Sequence, residues 1–203
     1  MFNLSPLVRN LVVINVIVFV LQQLLTGVVT REIGGQDFTL GLTQLLSLWG
    51  INHPLFQPYQ FFTYMFAHGS FMHILFNMLT LASIAPVLEA YWGDKKFLIF
   101  YLATGIGAGV IYAVVNLFMG DGGGSMLGAS GAIYGVLMAF GLIFPNMQIS
   151  MLFIPMPAKY LVFVVGILTY LLDRSGQVAH IAHFGGAFIG FILVSIWRSQ
   201  GRR

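Results

Sequence analysis

Ser130 sits in the stretch GASGAIYG (128–135), with Tyr134 one helical turn behind it, and His183 sits in AHFGGAFIG (182–190). A serine hydroxyl is a weak nucleophile until a base takes its proton, and neutral imidazole does that near physiological pH. The stretch HILFN (73–77) adds His73 and Asn77, two donors four residues apart and so on one helical face. Taken singly, each has a plainer reading. A serine between small residues packs helices together, and a tyrosine near a helix end anchors an interface. Chemistry requires that separate elements deliver these groups to one place.

Composition says what those elements are. The 203 residues are 58% hydrophobic and 7% charged, with a mean hydropathy of +0.89. A soluble domain carries about a quarter charged residues, so the solvent of this chain is mostly lipid. The expectation is one all-α membrane domain over 1–203, a compact six-helix bundle spanning at about 10–29, 70–88, 97–119, 127–144, 158–173 and 178–197. Nothing N-terminal reads as a cleaved signal, since the first apolar run is too long and lacks a cleavage site. Within the first span Asn15, Gln22 and Gln23 must face protein or the interface. The first connection, roughly 31–68, is long. In LGLTQLLSLWG the residues Leu42, Leu45, Leu46 and Trp49 predict a short amphipathic helix in the interface.

The chain has no cysteine, which excludes disulfides, thiolate metal sites and cysteine nucleophiles. No basic run of nucleic-acid type accompanies the net charge of +3. The charges instead sort by side of the membrane. With the N-terminus cytoplasmic, Arg9, Lys95, Lys96, Lys159, Arg198, Arg202 and Arg203 lie inside and only Arg31 and Arg174 outside. That bias puts both termini in the cytoplasm. The glycine-rich loop 120–126 lacks the Lys-Ser/Thr ending of a phosphate loop.

This topology starts spans two, four and six on the outer side. His73 and Asn77, Ser130 and Tyr134, and His180 and His183 then fall within roughly 5–10 Å of one another in depth. Gly131 with Gly135, and Gly186 with Gly190, form small-xxx-small pairs that let spans four and six approach, and Gly128 extends the small-residue run. His183, Gly186 and Gly190 make one stripe, so His183 is favoured as the base, with His180 a neighbour. No acid shares this depth, since Glu89, Asp94, Asp121 and Asp173 lie at helix ends. The arrangement is a Ser–His dyad in which Tyr134 stacks on the imidazole. His73, Asn77 and the Ser130 backbone N–H serve as oxyanion donors near a helix N-terminus. The G-x-S-x-G elbow of soluble hydrolases is absent, because residue 132 is alanine.

In these three motifs, in this order, the chain closely resembles the rhomboid family of intramembrane serine proteases. HILFN matches the family's His-x-x-x-Asn, GASGAIYG its Gly-x-Ser-Gly with the following tyrosine, and AHFGGAFIG its Ala-His-x-x-Gly-x-x-x-Gly. The resemblance implies the minimal six-helix bacterial form with a water-filled cavity open to the extracytoplasmic side. It implies Ser130 as nucleophile, His183 as base, His73, Asn77 and Tyr134 in support, and no metal or cofactor. Its substrates would be transmembrane proteins cut near their entry into the bilayer of a bacterial cytoplasmic membrane. Span five and the loop 171–178 resemble the family's mobile gate and cap. Many members carry Trp-Arg in the first loop where this chain reads Tyr59-Gln60. Two rival readings stand beside the protease. One is a catalytically idle relative that binds membrane proteins, although such relatives usually lose the serine or histidine. The other is a small transporter, opposed by the missing internal repeat and the lack of buried acids.

Overall fold

The computed structural model describes residues 4–119, 124–151, 154–172 and 177–201. Asp121, Asp173, Arg174, Arg202 and Arg203, with residues 120–123 and 173–176 of the loops at 120–126 and 171–178, lie outside the described residues. In chain order the elements are α1 (Pro6–Leu24), the hairpin β1 (Val29–Ile33) and β2 (Gln36–Leu40), and two short helices α2 (Leu42–Leu46) and α3 (Gln60–Thr63). Then come α4 (Phe71–Trp92), α5 (Asp94–Met119), α6 (Ser130–Ile143), a second hairpin β3 (Gln148–Met151) and β4 (Ile154–Pro157), α7 (Leu161–Leu172) and α8 (Gln177–Gln200).

Among the described residues, four helices are long and apolar enough to cross a bilayer: Pro6–Leu24, Phe71–Trp92, Asp94–Phe118 and His180–Gln200. The helices expected as spans four and five are shorter. At 1.5 Å per residue, the 14 residues of α6 reach about 21 Å, less than a hydrocarbon core of about 30 Å. It is also the most enclosed helix, with Gly131 through Leu137 all buried. The chain leading into it is not helical. Met126 and Leu48 of the first loop exchange backbone hydrogen bonds of 2.8 Å each way, and Gly128 N–H donates to the Tyr64 carbonyl at 2.9 Å. Non-helical backbone within a membrane bundle survives only where protein or cavity polar groups satisfy it, and the long first loop does that here.

The first span is shifted from 10–29 to 6–24. Pro6 stands at the first helical turn, where its missing N–H is harmless, and the chain beyond Leu25 leads into the hairpin that begins at Val29. That hairpin escaped the sequence reading. Its strands pair from Val29↔Leu40 to Ile33↔Gln36, and Gly34 and Gly35 take φ of 61° and 81° in a two-residue turn that demands left-handed backbone. The interfacial helix is shorter than its apolar spacing predicts, ending at Leu46. Leu48 leaves to pair with Met126, and Trp49 instead stacks on His53 with centroids 4.3 Å apart.

Two staples hold α1 antiparallel to α4. At one end the buried Glu89 carboxylate accepts from Ser5 Oγ at 2.5 Å and from the Leu7 and Val8 backbone N–H groups at 3.3 and 3.0 Å. An anion there satisfies the orphan donors of a helix N-terminus. At the other end Gln22 donates to Thr43 Oγ1 at 2.9 Å and accepts from His68 N–H at 3.0 Å. Asn15 and Gln22 are buried, as their polarity requires, whereas Gln23 is exposed near the helix end. The opposite face of α1, including Val13, Ile17 and Val20, is exposed apolar surface suited to lipid.

Candidate active site

Helix packing places the serine. A Cβ on Gly186 would fall on the Gly131 carbonyl oxygen, and one on Gly190 would lie 2.8 Å from Gly135 Cα. The backbones of α6 and α8 therefore touch along both glycine pairs, as their spacing predicts. Thr104 of α5 closes the third side, its Cβ 2.6 Å from where a Gly135 Cβ would be. This contact begins one residue beyond Ser130 and three beyond His183. Ser130 is the first residue of α6, with Ala129 as N-cap, so its backbone N–H has no acceptor within the helix.

Tyr134 and His183 meet as stacked rings, centroids 4.2 Å apart and planes 12° from parallel. Both are buried, at 5% and 9% exposure. His180 turns to a different partner, Tyr170 of α7, with centroids 4.9 Å apart. The two span-six histidines are thus separated by environment: one faces α6, the other α7.

Gly128 does not stand in a helix, unlike the other glycines of the small-residue run. It precedes α6 at φ 118°, a conformation that favours glycine. A Cβ there would lie 2.7 Å from His73 Nε2 and 3.8 Å from Ser130 Oγ, so the serine oxygen and this imidazole nitrogen flank one point. His73 is set by its own helix start. Ser70 caps α4 by accepting from His73 N–H at 3.1 Å, and the Gly69 N–H points to His73 Nδ1 at 3.4 Å. An Nδ1 that accepts leaves the ring proton on Nε2, the nitrogen beside Gly128. One turn deeper, Asn77 donates to the His73 carbonyl at 2.8 Å and keeps a second amide hydrogen. The structure thus brings Ser130 Oγ and His73 Nε2 to the start of α6, and one turn further along α6 stacks Tyr134 on the His183 imidazole. Among the described residues no three His, Cys, Asp or Glu side chains converge as metal ligands would.

The sequence pattern of the Rhomboid domain matches residues 55–200, most of the chain. The chain belongs to the rhomboid family. Rhomboids are generally intramembrane serine proteases. Among curated proteins, this rhomboid is 31% identical over 133 residues to Rhomboid protein 1, mitochondrial, of Saccharomyces cerevisiae, covering 63% of the chain and 38% of that protein. It is 30% identical over 149 residues to the human Presenilin-associated rhomboid-like protein, mitochondrial, covering 66% of the chain and 38% of the relative. To RHOMBOID-like protein 5 of Arabidopsis thaliana it is 27% identical over 135 residues, 63% of the chain and 41% of the relative. The chain thus matches about two fifths of the length of these relatives.

Of two supporting residues in this rhomboid, the sequence marked Gln60 only as a departure from the family pattern and did not mark His68. Gln60, where many members have arginine, is buried at 1% exposure. Its Oε1 accepts from the Gln57 and Trp49 N–H groups at 3.1 and 3.4 Å, and its Nε2 donates to the Leu55 and Leu45 carbonyls at 2.9 and 3.3 Å. One neutral amide therefore ties the first loop together. His68, just before α4, is buried at 1% exposure and meets His73 edge-on at 5.0 Å. Burial, then the neighbouring His73, lowers its pKa to about 3 against the opposing pull of the Phe66 carbonyl. A polar residue in an aromatic-rich loop was the available signal for both; the loop's path was not.

Proposed function

We propose that the chain is an intramembrane serine endopeptidase that cuts transmembrane protein substrates near the outer membrane face. Ser130 Oγ attacks the scissile carbonyl while the His183 imidazole takes its proton. The peptide C–N bond then breaks, the imidazolium protonates the leaving amine, and water hydrolyses the acyl ester with imidazole again as base. Tyr134 holds the imidazole in place of an orienting carboxylate. The oxyanion is met by His73 Nε2–H, the second Asn77 amide hydrogen and the Ser130 backbone N–H, each such donor contributing about 10²–10³ in rate. All six apolar helices cross the bilayer in this reading, the short α6 and α7 among them. Both termini lie in the cytoplasm of a bacterium and the site opens to the extracytoplasmic side, in keeping with seven basic residues assigned inside and two outside.

The observation that carries the reading is the stack of Tyr134 on His183 at a glycine crossing whose α6 member begins with Ser130. A fluorophosphonate probe tests it. Wild type is expected to be labelled, and to cleave a transmembrane reporter peptide, while Ser130→Ala does neither. Equal labelling of both proteins would discard the assignment.

A further inference from the structure

The Tyr134 side chain meets residues of two other helices, α8 and α7, and the contact with α7 has no place in the mechanism above. Its face lies on His183 of α8. Its hydroxyl lies 2.9 Å from Thr169 Oγ1 on α7. The direction of that bond follows from proton counting. Thr169 donates its only hydroxyl hydrogen to the Val165 carbonyl of its own helix at 2.8 Å, so towards Tyr134 it accepts. The result is a directed chain from Tyr134 O–H to Thr169 O–H to a backbone carbonyl. Beside it, a Cβ on Gly166, one turn before Thr169, would lie 4.0 Å from Tyr134 Cε1, an ordinary contact that grips nothing. The other side of α7 is largely exposed: Phe163, Ile167 and Tyr170 are each more than three-fifths exposed, and of these Tyr170 meets the His180 ring.

We propose that Thr169 is a positioning residue for the reaction, fixing the Tyr134 ring by its hydroxyl so that the ring in turn fixes the His183 imidazole. The inference rests on reading His183 as the general base. Tyr134 leaves α6 through two soft torsions, and stacking alone has a broad minimum. A hydrogen bond at the far end of the ring, in surroundings of low dielectric, removes that freedom. The orientation of the imidazole then depends on where α7 sits, because Thr169 belongs to α7.

The test uses the full chain in liposomes with a quenched-fluorescent transmembrane peptide, and fluorophosphonate labelling in parallel. Thr169→Val keeps the shape and removes the acceptor. It is expected to lower kcat about five- to tenfold with KM changed by less than about twofold, because misplacement affects the reacting geometry more than binding. Thr169→Ser, which restores the hydroxyl, is expected to recover most of the rate. Tyr134→Phe should lose as much as Thr169→Val, and the double variant no more than either alone, since both remove one interaction. Thr80→Val is the control, because the Thr80 hydroxyl bonds the Phe76 carbonyl of its own helix and no residue of α7 or α8. Wild-type rates in Thr169→Val, additive losses in the double variant, failure of serine to rescue, or an equal loss in Thr80→Val would each overturn the proposal. A wild type that neither cleaves nor is labelled would instead overturn the hydrolase reading, and this inference with it.

Discussion

The His183 imidazole lies flat against the Tyr134 ring, 4.2 Å between centroids, while His180, one turn earlier, lies against Tyr170. The two histidines therefore predict different variants. His183→Ala is expected to reduce reporter cleavage at least about 10³-fold, in the range that general-base removal produces, with helical circular dichroism unchanged. His180→Ala is expected to keep most of the activity. Full activity in His183→Ala would move the base to His180.

The contact of Gly186 with the Gly131 carbonyl predicts a steric cost for the smallest possible substitution. Gly186→Ala places a methyl group where the carbonyl oxygen already is, so α6 and α8 must separate. Overpacking of this kind costs about 1–3 kcal/mol. A lowered Tm in detergent, together with slower probe labelling of Ser130, is the expected result. A Cβ on Gly185 would stand 3.3 Å from Ala108 Cα and Ile111 Cβ, so Gly185→Ala should be milder. An unchanged Tm in Gly186→Ala would contradict the crossing.

Gln60 serves as donor and acceptor at once, and that predicts a result against family habit. Gln60→Ala strands two N–H groups and two carbonyls around a buried position and should cost about 1–3 kcal/mol for each group left without a partner or water. Gln60→Arg restores the residue common in relatives, yet arginine has no acceptor for the Trp49 and Gln57 N–H groups. It too should lower Tm, while Gln60→Glu should keep the acceptor half. Thermal unfolding of the three variants checks the order.

His68 predicts a pH dependence of stability. Its folded pKa of about 3 lies below the ordinary histidine value of 6.5, so the unfolded chain binds the proton first as pH falls. The stabilisation from keeping His68 neutral is complete above about pH 6.5 and is lost as pH falls towards about 3. The limiting slope is about 1.4 kcal/mol per pH unit for one proton. His68→Gln removes the titration, and its unfolding midpoints should vary less with pH across that window. An identical profile in wild type and variant would place the acid sensitivity elsewhere.

The amino-acid order alone determined the features that depend on local spacing and on lipid as solvent. Apolar run length marked where the helices lie, and the i, i+4 spacing put His73 with Asn77 and Ser130 with Tyr134. The glycine periodicity anticipated the meeting of α6 and α8, because a helix without Cβ atoms on one stripe has one way to approach closely. What tertiary structure alone decided was every contact between segments far apart in the chain. Gly128 is not part of the helical glycine stripe; its left-handed backbone seats His73. The lead-in to Ser130 is held by Leu48 and Tyr64 from the first loop, and Thr169 receives the Tyr134 hydroxyl. None of these has a period to read. Their partners lie 35 to 78 residues away, and only the packed bundle brings a carbonyl or hydroxyl to the group that needs it.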